Sequence, residues 1–329
     1  MESHPLLKVE NVKKYFPIGK ALFGKSKQYV KAVDDVSFIL NVGGSLGIVG
    51  ESGSGKTTLA KVILKLIEPT SGKVYFEGID LSSLSDDAVR KLRSQMQMIF
   101  QDPMASLNPR KKIKHILSQV FKIHTSLSDT EIQERVVDLL EKVGLNPPEL
   151  LLERYPHELS GGQRQRVCIA RAIALNPKLI IADEPVSALD VSVRGQIVKL
   201  LLDIYERYKN NMAYIIISHD IALINSICKD ALVMYLGKVV EIGNVRKIIE
   251  EPLHPYSQML ISSIPVPNPE TARSRKRMPI GGEIPSLINP PRGCYFQPRC
   301  PYAMEKCKEK TPPLINAGNR FVACYLYME

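Results

Sequence analysis

The segment that most constrains this chain is the octapeptide Gly50–Thr57, which reads Gly-Glu-Ser-Gly-Ser-Gly-Lys-Thr. It fills every fixed position of the pattern G-x-x-x-x-G-K-[ST], follows the apolar run Ser45–Val49 and precedes the helical pattern Thr58–Leu66. A strand, a glycine loop and a helix in this order direct main-chain amides at an anion, near the positive end of the helix. The segment therefore predicts a phosphate-binding loop in an α/β fold.

The side chains of this phosphate loop (Gly50–Thr57) predict how a nucleoside triphosphate would be held. Lys56 would reach the β- and γ-phosphates, and the hydroxyl of Thr57 would ligate magnesium. Nucleotide contacts are expected from Gly50, Ser52, Gly53, Ser54, Gly55, Lys56, Thr57 and Thr58. We therefore expect a chain that binds ATP and Mg2+ and hydrolyses ATP to drive another process.

A second apolar run, Leu179–Ala182, ends in the carboxylates of Asp183 and Glu184. Asp183 would join the magnesium shell, because a hard cation prefers oxygen ligands. Glu184 would polarise the attacking water as general base. A buried strand ending in a solvated acidic turn is the plain alternative. Strand patterns separated by the helical run Val193–Tyr208 favour a parallel sheet flanked by helices, and in such a sheet the functional interpretation is preferred.

The pentapeptide Leu159–Gln163 reads Leu-Ser-Gly-Gly-Gln and precedes a helix that begins near Arg164. A serine N-cap would explain it locally, but it also resembles the signature sequence of ATP-binding-cassette (ABC) ATPases. Further motifs follow the order of that family: an adenine-stacking aromatic, a Q-loop, a D-loop and a switch histidine, at Phe16 (with Tyr15 less favoured), Gln101, Ser187–Asp190 and His219. The resemblance covers about two-thirds of the chain.

This resemblance implies a RecA-like P-loop NTPase core with an antiparallel β subdomain and a family-specific helical subdomain. It also implies that two such domains pack head to tail. The signature of one chain would then contact the γ-phosphate held by the other, through Ser160, Gly161, Gly162 and Gln163. Gln101 would touch magnesium and link the nucleotide to the helical region that meets a membrane partner. His219 would hydrogen-bond the γ-phosphate, and Asp190 would border the nucleotide site.

Composition changes after about Glu250, where prolines become frequent. Four of the six cysteines lie in the last 36 residues, at Cys294, Cys300, Cys307 and Cys324. In a cytosolic chain, clustered thiols suggest a metal more than disulfides. The motifs His254–Tyr256, Asn289–Pro291 and Arg299–Pro301 resemble the small Cys-rich C-terminal extension of oligopeptide and dipeptide importer ATPases, in particular the F-type subunit.

The resemblance implies a [4Fe–4S] cluster held by the four cysteines. Their separations of five, six and sixteen residues differ from the tight C-x-x-C pairs of structural zinc sites, although Zn2+ remains an alternative. Either metal would staple a tail with too little apolar content to fold well unaided. We therefore predict an ATPase domain at 1–250, with its helical subdomain at about 104–174, and an extension at 251–329.

The net charge of +10 suits anionic nucleotide, nucleic acid or the anionic face of a membrane, and does not choose among them. No apolar run approaches the ~20 residues of a membrane-spanning helix, and the N-terminus does not have the pattern of a secretory signal. With the importer resemblance, this predicts a peripheral protein on the cytoplasmic face of the cell membrane.

The leading hypothesis is the ATP-binding subunit of an importer for dipeptides or oligopeptides. Its partners would be a second, similar ATPase, two membrane-spanning permeases and an extracytoplasmic peptide-binding protein, with no nucleic acid. A cassette ATPase of ribosomes or DNA usually has two cassettes or a coiled-coil insertion, and an exporter half requires a fused membrane domain. A regulatory subunit would lack Glu184 or the signature glycines. Nickel, glutathione and sugar oligomers remain alternative cargoes, because closely related ATPases serve them.

Overall fold

The computed structural model describes residues 5–19, 28–263 and 282–328. The chain divides into two compact units. The first unit comprises residues 1–40, 45–82 and 218–329, and the second comprises residues 41–44 and 83–217. The domain boundaries predicted from the sequence stay a prediction.

The strands of the described residues are, in chain order, β1 (Leu7–Ile18), β2 (Gln28–Leu40), β3 (Ser45–Val49), β4 (Ser71–Phe76), β5 (Ile79–Asp80), β6 (Met96–Ile99), β7 (Leu179–Asp183), β8 (Ala213–Ser218), β9 (Asp230–Tyr235), β10 (Lys238–Asn244), β11 (Ile315–Asn316) and β12 (Phe321–Val322). The helices are α1 (Lys56–Ile63), α2 (Asp86–Leu92), α3 (Pro103–Ser106), α4 (Ile113–His124), α5 (Asp129–Lys142), α6 (Glu149–Leu152), α7 (Gly161–Ile173), α8 (Val191–Tyr208), α9 (Ile221–Ile227), α10 (Val245–Glu250), α11 (Pro255–Ser262) and α12 (Glu305–Glu309). None of these helices is long and apolar enough to cross a membrane.

The first unit contains an antiparallel sheet in the order β2-β1-β4-β5. The pairing of β1 with β2 runs from Leu7 opposite Leu40 to Ile18 opposite Gln28. The sequence predicts a hairpin loop over Pro17–Lys31, but the two strands extend into that segment. The strands extend there through Ile18, Tyr29 and Val30, which are residue types that favour strands. Residues 20–27 of the predicted loop lie outside the described residues.

The same unit holds a group of strands around the fully buried β3. In this group β3 and β9 are parallel, with Ile48 opposite Leu232, and β10 returns antiparallel to β9. Helix α9 packs on β3 so closely that a Cβ on Gly47 would lie 2.0 Å from a methyl group of Ile224. The carboxyl end of β3 leads directly into the glycine loop.

The C-terminal extension (251–329) packs within the first unit. Its strand β12 pairs with β10, and β11 pairs with β12. Behind this edge, the guanidinium of Arg320 lies 3.4 Å from the fully buried carboxylate of Glu241. That carboxylate also accepts hydrogen bonds from the main-chain N–H groups of Leu253 and His254. A buried charge held by several donors is a strong tether, because losing one partner would leave it uncompensated.

The second unit contains parallel strands in the order β8-β7-β6 and the helices α2 to α8. Helices α4, α5 and α7 contact one another, and apolar side chains at helical spacing fill their interface, such as Ile132, Val136, Leu139 and Leu140 on α5. Ser128 and Glu131 form a capping box that sets the start of α5. Parallel strands and flanking helices are the arrangement that the sequence predicts.

Candidate functional site

The predicted phosphate loop lies between β3 and α1. A Cβ on Gly50 would lie 2.2 Å from the carbonyl oxygen of Met234, and one on Gly55 would lie 1.9 Å from that of Ala32. Gly55 also has a φ of 99°, a conformation that residues with a side chain rarely adopt. No side chain caps α1, and its first turn carries no acidic residue. The main-chain N–H groups at this helix start therefore fit the triphosphate of ATP.

The side chain of Lys56 is folded back into this loop and is only 6% exposed. Its ammonium donates to the carbonyl oxygens of Gly50 at 2.7 Å and Glu51 at 2.9 Å. The ammonium of Lys56 is thus held within the phosphate loop by main-chain acceptors. Phosphate oxygens of a bound nucleotide would replace some of these carbonyl acceptors.

Phe16 and Tyr15 lie next to each other on β1 but differ in environment. The Tyr15 hydroxyl donates to the carboxylate of Asp34 at 2.5 Å, and burial with this hydrogen bond raises the pKa of Tyr15. Phe16 is 38% exposed and has the ammonium of Lys14 at 5.1 Å from its ring centre. An exposed aromatic face is available for stacking, whereas Tyr15 is bound to Asp34. Phe16 as the adenine-stacking residue stays a prediction.

His219 follows β8 and is exposed at the turn that leads into α9. The next residue, Asp220, caps α9 by accepting from the N–H of Ala222 at 2.8 Å, and its own N–H donates to the Ser218 hydroxyl at 3.0 Å. This double anchorage holds the main chain on the C-terminal side of His219. The histidine therefore sits on a well-defined turn, as a residue that contacts a ligand requires.

In the second unit, the acidic pair stands at the end of the fully buried β7. Asp183 is the last strand residue and is 2% exposed. Glu184 adopts a φ of 48°, which is unusual for a residue with a side chain, and its N–H donates to Ile217 at 2.9 Å. Strained main chain at the end of a buried strand is typical of functional sites. This main-chain conformation ends the regular strand geometry of β7 at Glu184.

The signature segment begins α7. Ser160 and Gln163 form a capping box, in which the Ser160 hydroxyl accepts from the Gln163 N–H at 3.2 Å and the Gln163 side chain accepts from the Ser160 N–H at 3.0 Å. The structure thus confirms the serine N-cap expected from the sequence. Behind it, a Cβ on Gly162 would lie 2.5 Å from a methyl carbon of Val193 on α8. Gly161 lies close to Leu189, next to the exposed Asp190 that begins α8.

Gln101 follows β6 and is exposed. The neighbouring Asp102 caps α3 by accepting from the N–H of Met104 at 2.8 Å. Gln101 therefore stands at the junction between a parallel strand and the helices of the second unit. The structure places the phosphate loop, Phe16 and His219 in the first unit, and Gln101, the signature, the acidic pair and Asp190 in the second.

The four cysteines of the extension border one small cavity together with Phe296, Pro312 and Tyr325. All four are free thiols, and burial raises the pKa of Cys294 and Cys324 to about 11. The described residues, which include these cysteines, contain no group of three or more histidine, cysteine or acidic side chains placed to hold a metal ion. The prediction of a [4Fe–4S] cluster is therefore wrong, and the zinc alternative gains no support. Burial favours the neutral thiol, whereas metals bind the thiolate.

One residue of the phosphate loop has partners that the sequence does not signal. Glu51 occupies a variable position of the motif, yet its carboxylate binds Arg299 and its N–H donates to the hydroxyl of Tyr256. Arg299 and Tyr256 belong to two of the motifs by which the sequence resembles the importer-type extension. Nothing in their spacing signals a contact across more than 200 positions of the chain.

Two family models match this chain. One, described as "ABC transporter", matches residues 33–187, and another, described as "Oligopeptide/dipeptide transporter, C-terminal region", matches residues 240–307. The oligopeptide transport ATP-binding protein AppF of Bacillus subtilis is 48% identical over 98% of this chain and 97% of its own length. The dipeptide transport ATP-binding protein DppF of Escherichia coli is 43% identical, with coverages of 98% and 94%.

A solved structure agrees with this relationship. A dimeric ATP-binding cassette in a post-hydrolysis state, bound to ADP and phosphate, superposes with a TM-score of 0.63 at 31% identity and covers 73% of this chain and 99% of its own. The chain belongs to the ABC transporter family: it is an ATPase that binds ATP with Mg2+, and the predicted P-loop NTPase fold is confirmed. Within that family it belongs with the transport ATP-binding proteins that share the oligopeptide/dipeptide C-terminal region.

Proposed function

We propose that this chain is the ATP-binding subunit of an importer that takes up dipeptides or oligopeptides. The observation that carries the proposal is similarity over the whole chain, C-terminal region included, to proteins named for oligopeptide and dipeptide transport. The cassette by itself supports only ATP hydrolysis. The extension favours peptide transport over the other functions found in the family.

Within the first unit, the phosphate loop would bind the triphosphate. Lys56 would exchange its carbonyl acceptors for β- and γ-phosphate oxygens, and the hydroxyl of Thr57, in the first turn of α1, would ligate Mg2+. Phe16 would stack on the adenine with its exposed face. His219 would donate a hydrogen bond to the γ-phosphate from its turn before α9.

Within the second unit, Asp183 and Gln101 would be the residues that offer oxygen ligands to Mg2+. Glu184 would accept a proton from the attacking water, and its φ of 48° turns its main chain away from the strand direction of β7. Gln101 would also transmit the state of the nucleotide to the helices that follow β6. A short link between ligand and helices suits that role, because α3 begins two residues after Gln101.

The signature segment would complete the site of a second, homologous ATPase. The N–H groups of Gly161 and Gly162 lie in the first turn of α7, where main-chain donors have no partner within the helix. These donors and the helix dipole favour an anion, such as the γ-phosphate held by another chain. Asp190 at the start of α8 would border the same interface.

The remaining partners follow from the importer assignment. They would be two membrane-spanning permeases and an extracytoplasmic peptide-binding protein, and this chain would bind the permeases from the cytoplasmic face. ATP binding would close the pair of ATPases, and hydrolysis would reopen it. That cycle would switch the permeases between outward-facing and inward-facing states.

The test is transport by the assembled complex. The chain would be purified with the permeases and the second ATPase encoded beside it, incorporated into liposomes, and assayed for uptake of labelled dipeptides and oligopeptides in the presence of the binding protein. Peptide uptake that requires ATP on the ATPase side supports the proposal. Uptake of nickel, glutathione or sugar oligomers without peptide uptake would refute it.

A further inference from the structure

The C-terminal extension makes direct contact with the phosphate loop through Glu51. The guanidinium of Arg299 binds both carboxylate oxygens of Glu51, at 3.1 Å and 3.4 Å. On the other side of the same residue, the N–H of Glu51 donates to the hydroxyl of Tyr256 at 2.8 Å. The loop residue is thus held at its side chain and at its main chain by two residues of the extension.

Arg299 is well placed to fix Glu51, because its own position is fixed. Its side chain is 5% exposed, and its guanidinium lies over the rings of Tyr235 and Phe296 at 5.9 Å and 5.8 Å from their centres. It also donates to the Tyr235 hydroxyl at 3.3 Å. The rings of Tyr235, Tyr256 and Phe296 pack against one another with centres 4.6–5.6 Å apart. A planar, two-pronged cation in such a packed aromatic cluster holds a carboxylate in one orientation.

Glu51, which Arg299 and Tyr256 hold, also contacts the ammonium of Lys56. The carbonyl oxygen of Glu51 accepts from the ammonium of Lys56 at 2.9 Å and from the N–H of Ser54 at 3.2 Å. Arg299 and Tyr256 therefore hold the side chain and the N–H of the residue whose carbonyl oxygen accepts from Lys56. Arg299 also neutralises a carboxylate that would otherwise stand unpaired beside a bound triphosphate, where like charges repel.

A second contact of the same segment reaches β2, which pairs with the strand that carries the adenine-stacking candidate Phe16. The hydroxyl of Tyr295 donates to Asp34 at 2.9 Å, and Asp34 also binds the ammonium of Lys238 and the hydroxyl of Tyr15. Although burial opposes ionisation, these partners lower the pKa of Asp34, so its carboxylate stays charged. Tyr15 is the neighbour of Phe16 on β1. The segment Tyr295–Arg299 thus contacts Glu51 on the phosphate loop and, through Asp34, the neighbour of Phe16.

We propose that the segment Tyr295–Arg299 is a positioning element of the nucleotide site, with Arg299 as a positioning residue that acts on the phosphate loop through Glu51. The proposal rests on the assignment of Gly50–Thr57 as the phosphate loop. It gives the extension a role in ATP binding, in addition to completing the fold of the first unit.

The experiment is a double-mutant cycle on Glu51 and Arg299 in the full-length chain, read out as the Kd for Mg-ATP by calorimetry. Arg299→Gln should raise the Kd about tenfold, because it leaves the carboxylate of Glu51 unpaired beside the phosphates. Adding Glu51→Gln to that variant should bring the Kd back to within about threefold of the wild type, because the unpaired charge is gone. Arg299→Lys should fall between these values, since it keeps the charge and loses the two-pronged geometry.

Thermal unfolding without nucleotide is measured in parallel to separate positioning from stability. Lys308→Gln, which removes a positive charge from an exposed ion pair on α12, is the matched control and should leave the Kd unchanged. A Kd for Arg299→Gln equal to the wild-type value, or a double variant that binds no more tightly than Arg299→Gln alone, would overturn the proposal. If Arg299→Gln does not fold, Arg299→Lys with and without Glu51→Gln supplies the same cycle.

Lys56→Ala identifies which assumption fails. Wild-type affinity in Lys56→Ala would refute the assignment of the phosphate loop itself. Loss of ATP binding in Lys56→Ala together with unchanged affinity in the Arg299 variants would refute only the positioning role.

Discussion

The contact between Gly162 and Val193 predicts that the effect of Gly162→Ala on stability depends on the side chain of Val193. The substitution should destabilise the wild-type chain and stabilise a Val193→Ala variant. A Cβ added at Gly162 would lie 2.5 Å from one methyl carbon of Val193, well inside the 3.4 Å at which contact becomes ordinary. The other atoms of Val193 are 3.8 Å and 3.9 Å away. Replacing Val193 by alanine removes that methyl group and leaves the position of its Cβ, so the added atom would then fit.

The magnitudes follow from two opposing terms. Forcing an extra methyl group into a packed interface costs about 1–3 kcal/mol, because side chains or main chain must move. Replacing glycine by alanine in a helix gains about 1 kcal/mol. In the wild-type background, Gly162→Ala should therefore lower the stability by up to about 2 kcal/mol, which for a chain of 329 residues is up to about 3 °C in the midpoint of thermal unfolding. In the Val193→Ala background, the same substitution should raise the midpoint by about 1–2 °C.

The assay is thermal unfolding followed by far-UV circular dichroism, since the chain has no tryptophan to report by fluorescence. Four proteins are compared: wild type, each single variant and the double variant. ATPase activity of the assembled complex is measured separately, so that loss of stability is not mistaken for loss of signature function. If Gly162→Ala lowers the midpoint equally in both backgrounds, the packing explanation is refuted.

Three further predictions concern the phosphate loop, the general base and a buried histidine. Gly55→Ala should abolish Mg-ATP binding, because its Cβ would lie 1.9 Å from a main-chain oxygen of β2. Gly53→Ala, which meets no atom within 4 Å, should cost only the about 1–2 kcal/mol of its left-handed φ, measured by thermal unfolding and titration with Mg-ATP. Glu184→Gln should keep ATP affinity and lose turnover in the assembled complex, and full residual activity would exclude Glu184 as the base. Burial lowers the pKa of His254 to about 3, so the native state holds this ring neutral where the unfolded chain protonates it. The contribution of this neutral ring to the free energy of unfolding is complete above about pH 6.5. It decreases as the pH is lowered towards 3, and the loss is about 2 kcal/mol at pH 5. His254→Asn keeps a helix-capping acceptor and should flatten this pH dependence in denaturation midpoints, and an unchanged slope would refute the assignment.

Local features of the site were predictable because their causes are local. The strand Ser45–Val49 is bounded as predicted, since a continuous apolar run stops where the glycines begin. The helix of the signature begins three residues earlier than Arg164, because the capping box on Ser160 includes the two glycines in its first turn. The left-handed φ of Glu184 has no sequence signal, since glutamate rarely adopts it.

The C-terminal extension was predicted less well, because its stability comes from contacts that are distant in sequence. The low apolar content of the tail suggests a metal staple, but the tail uses the aromatic cluster around Phe296 and the buried pairing of Arg320 with Glu241. The partner of Arg299 stands 248 positions away, on the phosphate loop. A spacing pattern in one segment cannot reveal a partner in another.

The pairing of β12 with β10 has a practical consequence for work on the isolated cassette. β12 covers the edge of β10 through Glu241 opposite Val322 and Ile242 opposite Phe321. A chain cut at residue 250 would expose that edge as a row of unpaired main-chain groups and leave the buried carboxylate of Glu241 without its guanidinium. Open strand edges recruit other chains, so such a fragment would self-associate. We therefore expect a soluble, monodisperse cassette to need the segment that carries β12, and size-exclusion chromatography of the fragment beside the full chain tests this.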